Sequence, residues 1–128
     1  MKRTLAALFT GLLLAPIPAI AHHAFAAEFD SEKPVTVKGT VFKMEWTNPH
    51  IWIYVDTKEA SGSVTRWQCE GGSPNTLTRQ GWTRESLKAG AQVSIEGFRA
   101  KNGSNTCNSR VVTTADGKRL FAGSSSGQ

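Results

Sequence analysis

From Val35 to Trp46 the chain alternates apolar and polar residues with period two. Val35, Val37 and Val41 fall on one face, with Gly39 between them. The pattern predicts a strand with a bulge or sharp bend at the glycine. Thr47-Asn48-Pro49 predicts a turn. A second strand is predicted from His50 to Thr57, with Ile51, Ile53 and Val55 on one face and His50, Trp52, Tyr54 and Asp56 on the other. Lys58 to Ser63, with Ala-Ser-Gly inside it, reads as a hairpin loop. Val64 to Glu70 is the third strand, and Gly71-Gly72 breaks it.

Ser73-Pro74 then opens a helix. Serine caps the exposed backbone donors, and proline suits the first helical position. The helix is expected to run to about Gln80, with Gly81 as its stop and Trp82 packed back on the core. Thr83 to Leu87 makes a short turn, and Lys88-Ala89-Gly90 leads into a fourth strand, Gln92 to Arg99. Ala100 to Asn108 reads as a loop rich in Gly, Asn and Ser, followed by a fifth strand from Ser109 to about Thr114. Asp116-Gly117 marks a tight turn, after which Lys118 to Phe121 returns as a short extra strand. Three strands, a helix and two strands suit an all-β fold, a five-stranded Greek-key barrel of the oligonucleotide/oligosaccharide-binding (OB) type. A small β-sandwich has the same alternation, which does not separate the two.

Residues 1–21 do not fit that pattern. Met-Lys-Arg-Thr precedes an apolar run from Leu5 to Leu14, and Ala19-Ile20-Ala21 supplies a small-x-small cleavage site. This is the layout of a secretory signal peptide, with His22 as the expected mature N-terminus. The run is too short to cross a bilayer, which takes about 20 apolar residues, so no stable membrane insertion is expected after processing. The expected organisation is signal peptide 1–21, an extended N-terminal arm 22–34, the barrel domain 35–122, and a disordered Gly/Ser tail 123–128. The expected location is a bacterial periplasm. Losing Lys2 and Arg3 lowers the net charge from +5 to +3. The basic residues are scattered, so nucleic acid is not an expected partner. An unidentified periplasmic ligand or protein is.

An oxidising compartment makes a disulfide between Cys69 and Cys107 the default expectation. The alternative is a pair of soft metal ligands. There is no Cys-x-x-Cys, so a thioredoxin-like role has no support.

Several stretches occur together: His22-His23-Ala24-Phe25, Glu45-Trp46-Thr47-Asn48-Pro49-His50, Ser73-Pro74-Asn75-Thr76-Leu77-x-Arg79-x-Gly81-Trp82, and Ser86-Leu87-Lys88-Ala89-Gly90. In that order and spacing they resemble DUF6152, a family of small exported bacterial proteins of unknown function. The resemblance spans nearly all of the chain after the signal. It implies an exported single domain and transfers no catalytic residues.

The three histidines are His22, His23 and His50. An N-terminal histidine offers its α-amine and its ring to one metal, and the amine, with a pKa of about 8, yields its proton near neutrality. With His50 as the third nitrogen the set is similar to a copper histidine brace, and His23 can replace either imidazole. Amine and imidazole nitrogens suit Cu(II), so copper is the cofactor this set points to. The plainer reading makes His22 and His23 flanking residues, and has His50 bond to the Asn48-Pro49 backbone.

The aromatics give a second reading, in which Trp46, Trp52 and Tyr54 line an outer face that stacks on a saccharide, another small ligand or a protein partner. The opposite reading closes the core with these rings. Arg66, Arg79 and Arg84 are scattered, as on a solvated surface. The chain has no His-Glu-x-x-His, and its Gly-x-Ser-x-Gly match, Gly123 to Gly127, falls in the Gly/Ser tail rather than on a strand-to-helix turn. Glu45, Asp56 and Glu70 lie on three different predicted strands, and no spacing requires them to meet. A non-enzymatic binding protein is therefore expected.

Overall fold

The computed structural model describes residues 25–123. The expected signal peptide, His22, His23 and residues 124–128 lie outside the described residues.

From Phe29 on, six strands and one short helix follow in order: β1 Phe29–Glu45, β2 Trp52–Lys58, β3 Val64–Glu70, α1 Pro74–Arg79, β4 Gln92–Ala100, β5 Thr106–Thr114 and β6 Arg119–Phe121. Residues 25–28 are helical and lead directly into β1. The sheet order is β3-β2-β1-β4-β5-β6, with β3 also pairing to β5. Strand pairing therefore passes through β1, β2, β3, β5 and β4 and returns to β1. All neighbours are antiparallel except β3 and β5, which run parallel.

The alternation read from the sequence sets the inner face. Ile51, Ile53 and Val55 are fully buried, and they pack with Val37, Val41, Ile95, Val112, Leu77 and Trp82. Trp82 is in the core as expected, and its indole Nε1–H donates to the Phe121 carbonyl at 2.9 Å. A buried indole donor needs such an acceptor, because an unpaired one costs about 1–3 kcal/mol. The helix also forms where its capping signal lies. Ser73 Oγ accepts the Thr76 N–H at 3.2 Å, Pro74 is the first helical residue, and Gly81 ends the segment at φ +91°.

The structure departs from the sequence reading at element edges, each time because of tertiary pairing. β1 begins at Phe29, inside the expected arm. Asp30 to Pro34 carry no alternation, yet Phe29 and Pro34 pair with Ala100 and Phe98 of β4. Pro34 lacks an N–H, and the register shifts just before it, where the ladder tolerates the missing donor. β5 begins three residues before Ser109, because Thr106, Cys107 and Asn108 pair with Gln68, Cys69 and Glu70. β2 begins at Trp52 rather than His50. Ile51 instead exchanges backbone bonds with Gly71 and Gly72. The expected bulge at Gly39 lies further on, between Val41 and Lys43. Gly39 serves a different need: a Cβ there would stand 2.1 Å from the Asp56 carbonyl oxygen. Only glycine lets the strands approach so closely.

Cys69 and Cys107 face each other in the β3–β5 ladder, are fully buried, and form a disulfide. This overturns the alternative of two cysteine metal ligands, since neither sulfur is a free thiolate. A structural disulfide belongs to an oxidising, extracytoplasmic compartment. Among the described residues no helix is long and apolar enough to cross a membrane.

Candidate functional site

Beyond the Lys58–Val64 pair at the loop, the outer face of the β2–β3 hairpin carries three cross-strand pairs: Asp56 with Arg66, Tyr54 with Gln68, and Trp52 with Glu70. The pairs differ in how far they are already satisfied. At the hairpin end Arg66 grips Asp56 through two bonds, Nε to Oδ1 at 2.7 Å and Nη2 to Oδ2 at 2.9 Å. The guanidinium also lies 3.5 Å from the centre of the exposed Phe42 ring. Its hydrogen bond holds the Asp56 carboxyl below the usual range. In the middle, the Tyr54 hydroxyl donates to Glu45 Oε2 at 3.2 Å, and Lys43 sits 4.6 Å above the ring while pairing with the same carboxylate. Burial, followed by the Glu45 charge, pushes the Tyr54 hydroxyl up, and the Lys43 bond pulls Glu45 down.

The third pair is the open one. Trp52 is half-buried and stands opposite Glu70, which is nearly buried. His50, two residues before Trp52 and just after the turn, brings Nδ1 onto Glu70 Oε1. The His50 side chain is 40% exposed and that of Glu70 11%. Burial raises the Glu70 carboxyl, His50 opposes that rise, and the nearby Glu28 charge adds to it. A carboxylate on Nδ1 fixes the imidazole orientation and leaves the lone pair of the neutral ring on Nε2.

Beside Trp52 lies a cavity of about 550 Å³. Phe29 and Ala100, both buried, line its apolar side. Glu28, Gln68 and Thr106 form part of its polar wall, together with Asn102 and Ser104 from the β4–β5 loop. The helical residues 25–28 are held against that loop, since the Lys101 N–H donates to the Glu28 carbonyl at 2.9 Å and Lys101 Nζ donates to the Ala26 carbonyl.

The structure separates the candidate aromatics. Trp52 lines the cavity, Tyr54 is committed to Glu45 and Lys43, and Trp46 packs against the core. Glu45, Asp56 and Glu70 each engage a different basic partner. Arg84 reaches the Trp46 carbonyl at 3.5 Å. Of the histidines, only His50 lies among the described residues, and its ring meets Glu70 rather than the turn backbone. Among the described residues no three His, Cys, Asp or Glu side chains are grouped to hold a metal ion. Sequence reasoning missed Glu28, Gln68 and Thr106 altogether, and it noted Glu70 without its partner. The hairpin register held the signal for Glu70, because pairing Lys58 with Val64 sets Trp52 opposite Glu70. Glu28 and Thr106 come from distant segments and left no local trace.

The ring of paired strands, the buried disulfide and one cavity at the end of a hairpin define a small disulfide-linked β domain. The chain belongs to DUF6152, a family of unknown function, whose match covers residues 11–109. No curated protein and no solved structure matches it.

Proposed function

We propose that this is an exported periplasmic binding protein without enzymatic activity, built on an OB-like five-stranded Greek-key barrel. Its binding corner is the end of the hairpin that carries His50, Glu70 and Trp52. The closed pairing order and the helix between β3 and β4 support the barrel reading. The apolar run and cleavage pattern of residues 1–21, together with the disulfide, support export.

Copper is the ligand we assign to the histidines. The observation that carries this is the hold of Glu70 on His50 Nδ1. Metal-bound imidazoles commonly give their second nitrogen to a carboxylate, which fixes the tautomer and strengthens the donor. Nε2 of His50 then supplies one nitrogen, and the amine and ring of His22 supply two more, with His23 able to replace either imidazole. His23 precedes the cavity residue Glu28 by five positions. Cu(II) titration of protein beginning at His22, followed by electron paramagnetic resonance, tests this. One-to-one binding with nitrogen hyperfine structure is expected, lost when one residue is added before His22 and lost in His50→Ala. Equal, weak binding by all three forms would overturn it.

A second reading rests on a separate observation, the placement of Trp52 on the cavity wall. The same protein then binds a small ligand, a saccharide or a protein partner through that indole, with no need of the His22 amine.

A further inference from the structure

We infer that the cavity beside Trp52 is a carbohydrate site that takes a neutral, polyhydroxylated sugar. The inference rests on the binding-protein reading above and deepens its second form, but it does not depend on copper.

The chemistry of the walls selects the ligand class. A sugar ring has an apolar C–H face and a rim of hydroxyls that both donate and accept. Trp52 lines the cavity, and it is half-buried and so already partly desolvated. Opposite needs are met by uncharged groups: the amides of Gln68 and Asn102 and the hydroxyls of Ser104 and Thr106. These groups are organised before any ligand arrives. Gln68 Nε2 donates to Thr106 Oγ1 at 3.0 Å, Ser104 Oγ donates to the same oxygen at 3.0 Å, and the Asn102 side-chain Oδ1 accepts the Ser104 N–H at 3.0 Å. A chain of linked hydroxyls and amides of this kind matches a sugar rim, because each member can both give and accept a bond. The volume of about 550 Å³ lies within the range of small-ligand sites.

The wall lacks what the other ligand of such aromatic faces requires. A nucleic-acid strand needs a basic track for its phosphates. Among the lining residues Lys101 is the one cation, its ammonium held on the Ala26 carbonyl, and Glu28 is the one anion, so the wall carries no basic track. A wall with one charge of each sign favours a neutral sugar over an anionic one.

The test is a two-dimensional amide and indole NMR titration of the disulfide-intact chain beginning at His22. The probes are cellobiose, N,N′-diacetylchitobiose and maltose, with a short oligothymidylate for comparison. EDTA is present throughout, so that failure here is separate from failure of the copper reading. At least one disaccharide is expected to shift the Trp52 indole, the Gln68 side-chain amide and residues 102–106, with a Kd on the order of 1 mM. Trp52→Ala is expected to weaken that binding at least about tenfold. Tyr54→Phe, which leaves the cavity wall intact, is expected to bind as the parent does. Gln68→Ala gives a milder second variant should Trp52→Ala not fold, and a loss of about threefold or more is expected. No shifts with any of the three sugars would overturn the inference. So would shifts that persist in both cavity variants, or shifts with oligothymidylate alone.

Discussion

Trp52 stands directly opposite Glu70 in the β2–β3 ladder, and Glu70 in turn receives the imidazole Nδ1 of His50. One strand register thus brings an indole, a nearly buried carboxylate and a half-exposed histidine to one corner. Further along that face Asp56 and Arg66 are closed upon each other, and Tyr54 is held by Glu45 and Lys43. The corner is therefore where this surface has unspent binding capacity.

The His50–Glu70 pair makes stability depend on pH with a definite sign. Burial raises the Glu70 carboxyl in the native state, so the folded protein holds its proton more tightly than the unfolded chain. The contribution of this group is fully present below the ordinary carboxylate range, and it is lost as pH rises through the raised native value. His50 limits that loss. Urea denaturation of His50→Ala is expected to show a destabilisation of about 1 kcal/mol near pH 7, a figure reduced for the exposure of the histidine. Below the ordinary carboxylate range, where Glu70 is protonated, the difference should shrink toward about zero. Glu70→Gln removes the charge and should flatten that pH dependence. Equal losses for His50→Ala at both pH values would show that the pair carries no such linkage.

Reduction should unfold the domain more readily. The Cys69–Cys107 link closes a sequence separation of 38 residues and joins β3 to β5 where the strand ring closes. By the chain-entropy estimate the bond contributes about 4 kcal/mol. The double variant Cys69→Ala, Cys107→Ala is expected to lose a large part of that, read as a lower urea midpoint. A midpoint unchanged under reducing conditions would contradict the assignment.

Gly39 and Gly97 should not tolerate alanine. The added Cβ would meet the Asp56 carbonyl oxygen at 2.1 Å in one case and the Asn108 carbonyl oxygen at 1.9 Å in the other. Both are backbone atoms of a neighbouring strand, so the ladder itself must move. We expect each variant to cost about 2 kcal/mol or more. Gly62→Ala is a useful comparison of another kind, since a Cβ there meets nothing but φ is +88°. Its cost should come from the backbone alone, about 1 kcal/mol. Thermal melts of the three would rank them, and a mild Gly39→Ala would argue against the close approach.

Trp82→Phe should cost about 2–3 kcal/mol, because it leaves a core void and deprives the Phe121 carbonyl of its donor. The loss should appear both as a lower melting point and as faster amide exchange in β6, which that carbonyl helps to hold. Unchanged exchange in β6 would mean the indole bond does not anchor the strand.

Much of the fold was legible in the chain. Alternation placed Ile51, Ile53 and Val55 inside and Trp52 and Tyr54 outside, because a strand's side chains turn over at every residue. Ser73-Pro74 and Gly81 marked the helix, because its caps are local chemistry. The cysteine count, with the secretory pattern read in residues 1–21, pointed to a disulfide. Tertiary structure alone decided the rest. Whether 29–34 and 106–108 are strand depended on partners far along the chain, in β4 and β3. Which polar residue faces Trp52 depended on hairpin register. That Tyr54 is occupied while Trp52 borders a cavity depended on Glu45, Lys43 and the β4–β5 loop. Local sequence encodes the period and the caps of an element, whereas a site is a coincidence of separate elements in space, and only packing brings it about.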